Sequence, residues 1–124
     1  MEVLSSRILL KPRDPERSRK FYADQLGLAI YREFPGGTVF FLGGGFLEVV
    51  GQGSEEPSAD VALWLQVRDL AGTVAELVER GVPITREPRQ EPWGLCEAWL
   101  ADPDGTRIVL VEVPDDHPLR VDTR

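Results

Sequence analysis

The chain of 124 residues has one cysteine, one histidine and one methionine. A lone thiol, Cys96, closes no internal disulfide, so a disulfide framework within one chain is excluded. Cys96 has no neighbouring histidine or helix start to activate it and is expected to be a buried structural thiol. A lone imidazole, His117, excludes a metal site built on two histidines of one chain. It stands in Asp115-Asp116-His117-Pro118, a polar stretch expected to be an exposed tail without the rigid frame that Ser-His-Asp catalysis requires. Long apolar runs are missing too, and none approaches the roughly 20 residues that span a bilayer. The start, Met1-Glu2-Val3-Leu4-Ser5-Ser6-Arg7, lacks the pattern of an export signal, so a cytoplasmic location without membrane contact is expected. Basic residues number 14 against 21 acidic ones, a net charge of −7. That balance repels phosphate backbones, disfavours a nucleic-acid partner and suits neutral or cationic small molecules, with solubility as its plainest meaning.

What is present is an internal repeat. Asp14-Pro15-Glu16-Arg17-Ser18 begins a helical pattern that runs through Phe21, Tyr22 and Leu26 to Gly27. Asp69 begins a second pattern, with Leu70, Val74, Leu77 and Val78 at one-face spacing, that ends at Gly81. Each aspartate can accept from the free N–H groups of a first turn, Pro15 suits the first helical position, and each glycine can close the helix in a left-handed conformation. An apolar strand precedes each helix, over residues 7–11 and 61–67. Strand-like runs follow at 28–34, 38–42 and 46–50 in the first copy, and at 83–87, 95–101 and 106–112 in the second. Gly43-Gly44-Gly45 lacks the Lys and Ser/Thr of a phosphate loop and precedes a strand, so it is expected to be a hairpin turn. The reading is an α+β fold of two βαβββ modules in a single domain of 1–124. Module one covers about 4–50, a linker 51–59, module two about 60–113 and a loose tail 114–124.

The two modules, the Asp14-Pro15-Glu16-Arg17-Ser18 helix start, Phe21-Tyr22, Leu26-Gly27-Leu28 and the late Asp102-Pro103-Asp104-Gly105 turn together resemble the vicinal oxygen chelate superfamily. That group includes glyoxalase I, bleomycin-resistance proteins, fosfomycin-resistance enzymes and extradiol dioxygenases. The resemblance implies two mostly antiparallel sheets curled into a cup-shaped pair of half-barrels, helices outside, and a homodimer. Metal-using members draw their ligands from the first, fourth, fifth and eighth strands. Matching backwards from the helix-opening aspartates puts Arg7 and Ala62 at the first and third of those positions, and the fourth and eighth strands supply Glu48 and Val109. Only Glu48 could bind an ion, and a divalent cation needs at least three donors, so no metal and no cofactor are expected.

Strand alternation puts Arg7, Leu9, Glu48, Trp64, Gln66, Arg107 and Val109 on the face that the resemblance turns inward. Leu47, Val49, Leu63, Leu65, Ile108 and Leu110 then face the helices. Arg7 and Glu48 either pair where a metal would otherwise join their strands or are two solvated ends that never meet. Trp64, with Phe40, Phe46, Trp93 and Trp99, would supply aromatic walls suited to a planar or hydrophobic guest, although core packing is the alternative for each tryptophan. Glu48 is the one general-base candidate. The expected function is metal-independent capture of a small hydrophobic or aromatic molecule, such as an antibiotic, in the manner of the bleomycin-resistance branch. A lyase, isomerase or dioxygenase of the same superfamily is the alternative.

Overall fold

A computed structural model describes residues 1–119. Contacts within the chain divide it into two units, Met1–Glu56 and the chain from Pro57 onward. The first unit contains β1 (Arg7–Leu10), α1 (Pro15–Lys20), a π-helical turn over Phe21–Gln25, β2 (Ile30–Phe34), β3 (Gly37–Leu42) and β4 (Gly45–Val50). The second contains β5 (Ala62–Gln66), α2 (Leu70–Glu79), β6 (Ile84–Gln90), β7 (Cys96–Ala101) and β8 (Arg107–Glu112). These are the two βαβββ modules of an α+β fold, each built on an open four-stranded sheet. The strand orders are β1-β4-β3-β2 and β5-β8-β7-β6. In each sheet the first strand lies parallel to the last, and the remaining pairs are antiparallel.

Both helices start as their sequences dictate. The Arg17 amide donates to Asp14 Oδ1 at 3.2 Å, and the Gly72 amide donates to Asp69 Oδ1 at 3.1 Å. Gly27 and Gly81 follow the helices at φ 74° and 82°, values that cost a residue without Cβ little. The first helix does not stay α-helical, however. The Leu26 amide reaches back to the Phe21 carbonyl at 2.8 Å, and the Leu28 amide to the Tyr22 carbonyl at 2.9 Å. This wider turn accommodates two consecutive buried rings, Phe21 and Tyr22, which meet edge to face with centroids 5.1 Å apart.

The helix-side core of the first sheet contains Phe40, Leu47 and Val49, with Tyr22 and Phe40 centroids 6.0 Å apart. In the second, Leu63, Leu100, Ile108 and Leu110 are buried on the same face as one another, and Leu70, Val74 and Leu77 are the buried residues of α2. Each such side chain contributes about 1.5–3 kcal/mol of transfer free energy. Val78, expected on the buried face of α2, is exposed near the end of the helix. The sixth strand is longer than expected and includes Pro88. It is an edge strand with two register shifts against β7, and the missing amide of a proline is tolerated there. The tail expected over 114–124 lies outside the described residues from position 120 on. Among the described residues no helix is long and apolar enough to cross a membrane.

Candidate functional site

Each sheet turns one face to its helix, and the candidate site residues lie on the other, which in the second sheet also holds the buried cluster of Leu95, Val109, Val111 and Val113. On the open face of the first sheet, Arg7 and Glu48 meet diagonally across the parallel β1–β4 ladder, where Arg7 stands opposite Phe46 and Leu9 opposite Glu48. The Arg7 guanidinium donates to Glu48 Oε1 at 2.7 Å. Its carbon also lies 5.7 Å from the centroid of the Phe46 ring. Phe46 belongs to an aromatic group with Tyr31 and Phe41, whose centroids are 4.9 to 5.7 Å apart. Tyr31 keeps 49% and Phe41 45% of its surface in solvent, so these rings are available to a guest. Leu9, opposite Glu48 in the ladder, is exposed.

Phe40, expected among the walls, is fully buried against Tyr22 on the helix side. The reason is the hairpin register. Gly43-Gly44 forms a two-residue loop that closes on the Leu42–Gly45 pair and sets Phe41 opposite Phe46 and Phe40 opposite Leu47. Sequence reasoning missed Phe41 and Tyr31. The glycine hairpin was the signal for Phe41, whereas Tyr31 follows from a register shift between Ile30 and Arg32 that leaves no mark in the sequence.

The open face of the second sheet is ordered in three rows across β5, β8 and β7. They are Ala62–Arg107–Ala101, Trp64–Val109–Trp99 and Gln66–Val111–Glu97. Trp64 is 48% exposed, Gln66 and Arg107 are exposed, and Val109 is buried as the floor between the two tryptophans. Trp99 is half-buried against Leu95, Val109, Val111 and Val113. The guanidinium carbons of Arg86 and Arg107 lie 4.0 and 4.5 Å from its ring centroid, both within cation–π range. Trp99 Nε1 and Arg86 Nε are shut off from solvent and have no hydrogen-bond partner among the described residues.

Two buried carboxylates organise the edge of this face. Glu91 forms ion pairs with Arg86 and Arg89, and Glu97 accepts from Trp93 Nε1 at 3.0 Å. Desolvation, together with the neighbouring charges of Arg89 and Arg107, lowers the Arg86 pKa from its ordinary value against the opposing pull of Glu97. Trp93 is exposed on the 91–95 loop. His117 is not the unattached tail residue expected. Its Nδ1 accepts from the Leu119 amide at 3.2 Å, which leaves Nε2 to donate to the Trp93 carbonyl at 3.0 Å. Cys96, expected to be buried, is only half-buried and lines a cleft of about 270 Å³ with Leu70, Pro88, Arg89 and Glu112. A second cleft of about 280 Å³ lies between α1 and β2, with Glu16, Arg19 and Glu33 on its rim, away from the open face.

Residues 6–110 match the Glyoxalase/Bleomycin resistance protein/Dioxygenase superfamily. The chain belongs to this superfamily. A search of curated proteins finds no match. Among solved structures, the chain is similar to a bleomycin resistance determinant encoded on the transposon Tn5, at 25% identity over 90% of this chain and 98% of the other, TM-score 0.73. It is similar to TnmS3, an antibiotic binding protein from Streptomyces sp. CB03234, at 24% identity over 91% and 98% of the two chains, TM-score 0.77. A glyoxalase-related enzyme from Fulvimarina pelagi shares 24% identity over 92% and 90%, TM-score 0.75.

The strand positions that metal-using members of the superfamily employ do not fit an ion here. Arg7 is a cation already bonded to Glu48, so the one carboxylate of the set is engaged. Ala62 and Val109 have no donor atom, and Arg107, beside Ala62 in the ladder, is a second cation. Among the described residues no three His, Cys, Asp or Glu side chains converge as a metal-holding group.

Proposed function

We propose that this superfamily member captures a small planar or hydrophobic molecule, such as an antibiotic or an aromatic metabolite, without a metal ion and without turnover, and that it acts as a cytoplasmic homodimer. The observation that carries the reading is the pairing of Arg7 with Glu48 at a ligand-strand position beside the half-exposed Tyr31 and Phe41 rings. Fixed charges next to aromatic surfaces orient a guest, and covering about 200 Å² of apolar surface supplies about 5 kcal/mol before association costs. The printed descriptions of two similar structures, a bleomycin resistance determinant and an antibiotic binding protein, support the same reading. Glu48 is a poor general base while its carboxylate accepts from Arg7, which disfavours the isomerase alternative.

The test is a thermal-shift and calorimetric titration with bleomycin and a panel of polycyclic aromatics, with and without Ni²⁺, Mn²⁺, Fe²⁺ and Zn²⁺. Saturation at a hundred times Kd is expected to stabilise the fold by about 2.7 kcal/mol, with the compound recovered unchanged. Stabilisation that requires one of the metals, or chemical conversion of a compound, refutes the reading. Light scattering gives the assembly, and a mass of one chain refutes the homodimer.

A further inference from the structure

The second sheet points to the chemistry of the guest. Its open face has one charged residue in the row at each end, Glu97 at one and Arg107 at the other, and a tryptophan row between them. At one end Glu97 is buried and engaged by Trp93. At the other, Arg107 stands between two alanines, Ala62 on β5 and Ala101 on β7, neither long enough to cover its guanidinium.

Of the three arginines on this side of the module, two are committed. Arg86 and Arg89 both pair with Glu91. Arg107 is exposed and touches the Trp99 ring, and among the described residues it has no carboxylate partner. Its backbone is nonetheless fixed. Asp102 Oδ1 accepts from the amides of Asp104 at 3.0 Å and Thr106 at 2.8 Å, and the Gly105 amide donates to the Asp102 carbonyl at 2.9 Å. Arg107 follows this turn directly, so its Cα is held in place while no carboxylate among the described residues neutralises its charge.

We propose that Arg107 is an anion anchor and that the guest is a planar aromatic acid, its ring system against Trp64 and its carboxylate on the Arg107 guanidinium. The inference rests on the capture reading above and names the class of molecule captured. The Arg107 guanidinium lies 4.5 Å from the centroid of Trp99, and Trp99 shares a row with Trp64 on the far side of Val109, two strand spacings or roughly 9.6 Å away, a distance that a bicyclic acid and its carboxylate span. A guanidinium offers a carboxylate two parallel N–H donors, and an aromatic surface beside it limits the competing water. The net charge of −7 favours neutral or cationic guests at long range, but that field is screened beyond about 8–10 Å in physiological salt. An acid must therefore be recognised by a local cation, and Arg107 is that cation.

The experiment is calorimetry with a matched pair of probes, 2-naphthoate and 2-naphthamide, on the full chain. The wild-type protein is expected to bind the acid at least tenfold more tightly than the amide, with the preference shrinking as salt is raised. In Arg107→Met the acid-to-amide ratio is expected to fall to about one. In Arg68→Met, which removes an equal charge from an exposed loop outside the site, the ratio is expected to persist. Arg107→Lys, the conservative variant if Arg107→Met does not fold, is expected to lose part of the preference because an ammonium cannot make the bidentate contact. Equal binding of both probes by the wild type overturns the anion anchor and leaves the capture reading standing. An acid preference that survives Arg107→Met overturns the assignment to Arg107. Failure of both probes to bind overturns this inference, and the capture reading then stands or falls on the bleomycin and polycyclic titrations above.

Discussion

Breaking the Arg7–Glu48 pair gives the sharpest energetic test of the first sheet. Two unit charges about 4 Å apart attract by about 4 kcal/mol at an effective dielectric of about 20, but exposed pairs retain only about 0.2–1 kcal/mol after screening and side-chain ordering. This pair lies between those limits, because the Arg7 side chain is 37% exposed and that of Glu48 only 13%. A coupling of about 1 kcal/mol is expected. Arg7→Met leaves a largely buried carboxylate without its donor and is expected to cost about 2 kcal/mol. Glu48→Gln still accepts from the guanidinium and is expected to cost about 1 kcal/mol or less. The double variant Arg7→Met/Glu48→Leu replaces the pair with apolar side chains beside Phe46 and is expected to be more stable than Arg7→Met alone. Urea denaturation of the wild type, Arg7→Met, Glu48→Gln, Glu48→Leu and the double variant measures these values, the coupling coming from the cycle of Arg7→Met, Glu48→Leu and their double variant. A coupling energy below about 0.3 kcal/mol, or a double variant less stable than Arg7→Met, refutes the idea that the two charges offset each other's desolvation.

Other variants test separate features by the same measurement. Phe40→Ala is expected to cost about 3–5 kcal/mol, and Phe41→Ala no more than about 1, because adjacent rings in β3 lie on opposite faces; equal costs contradict the hairpin register. Asp102→Ala is expected to cost about 2–3 kcal/mol by removing the acceptor of two backbone amides in the turn before β8, and a loss below 1 contradicts it. Gly53→Ala is expected to cost about 1–3 kcal/mol, since an added Cβ would lie 2.5 Å from the Lys11 carbonyl oxygen; wild-type stability would show that the backbone there yields freely.

The helices and the strand faces of β4, β5 and β8 were legible because their signals are local. Asp14 and Asp69 cap, Gly27 and Gly81 close, and the single polar residues Glu48, Gln66 and Arg107 fall out of phase with Leu47, Val49, Leu63 and Ile108, which marks the side that meets the helices. In β3 the run Val39-Phe40-Phe41-Leu42 is apolar throughout, so period two has nothing to mark, and only the glycine loop determines which ring reaches solvent. The same limit hid Tyr31, whose position depends on a register shift between two strands. Pairing of Arg7 with Glu48 was left open for a related reason: it is a diagonal contact of a parallel ladder, and its formation depends on register rather than on either residue alone. The extra turn width at Phe21 and Tyr22 has no separate code, because an α-helical pattern and a π-helical one share the same cap and the same closing glycine.

The parallel pairing of first and last strands in each sheet bears on how the chain folds. Three-strand meanders, β2-β3-β4 and β6-β7-β8, join neighbours through short loops and can zip early. The opening strand of each module must wait for a partner at the far end of the same module, so its docking carries the largest loop-closure entropy. Mutational φ-values near zero at Leu10 and Leu63, with higher ones at Leu47 and Leu100, are the expected pattern. In a protein synthesised from its N-terminus, β1 and β5 are then each the first strand of their module to emerge and the last to settle, and each spends the interval as an unpaired apolar segment that chaperones can recognise.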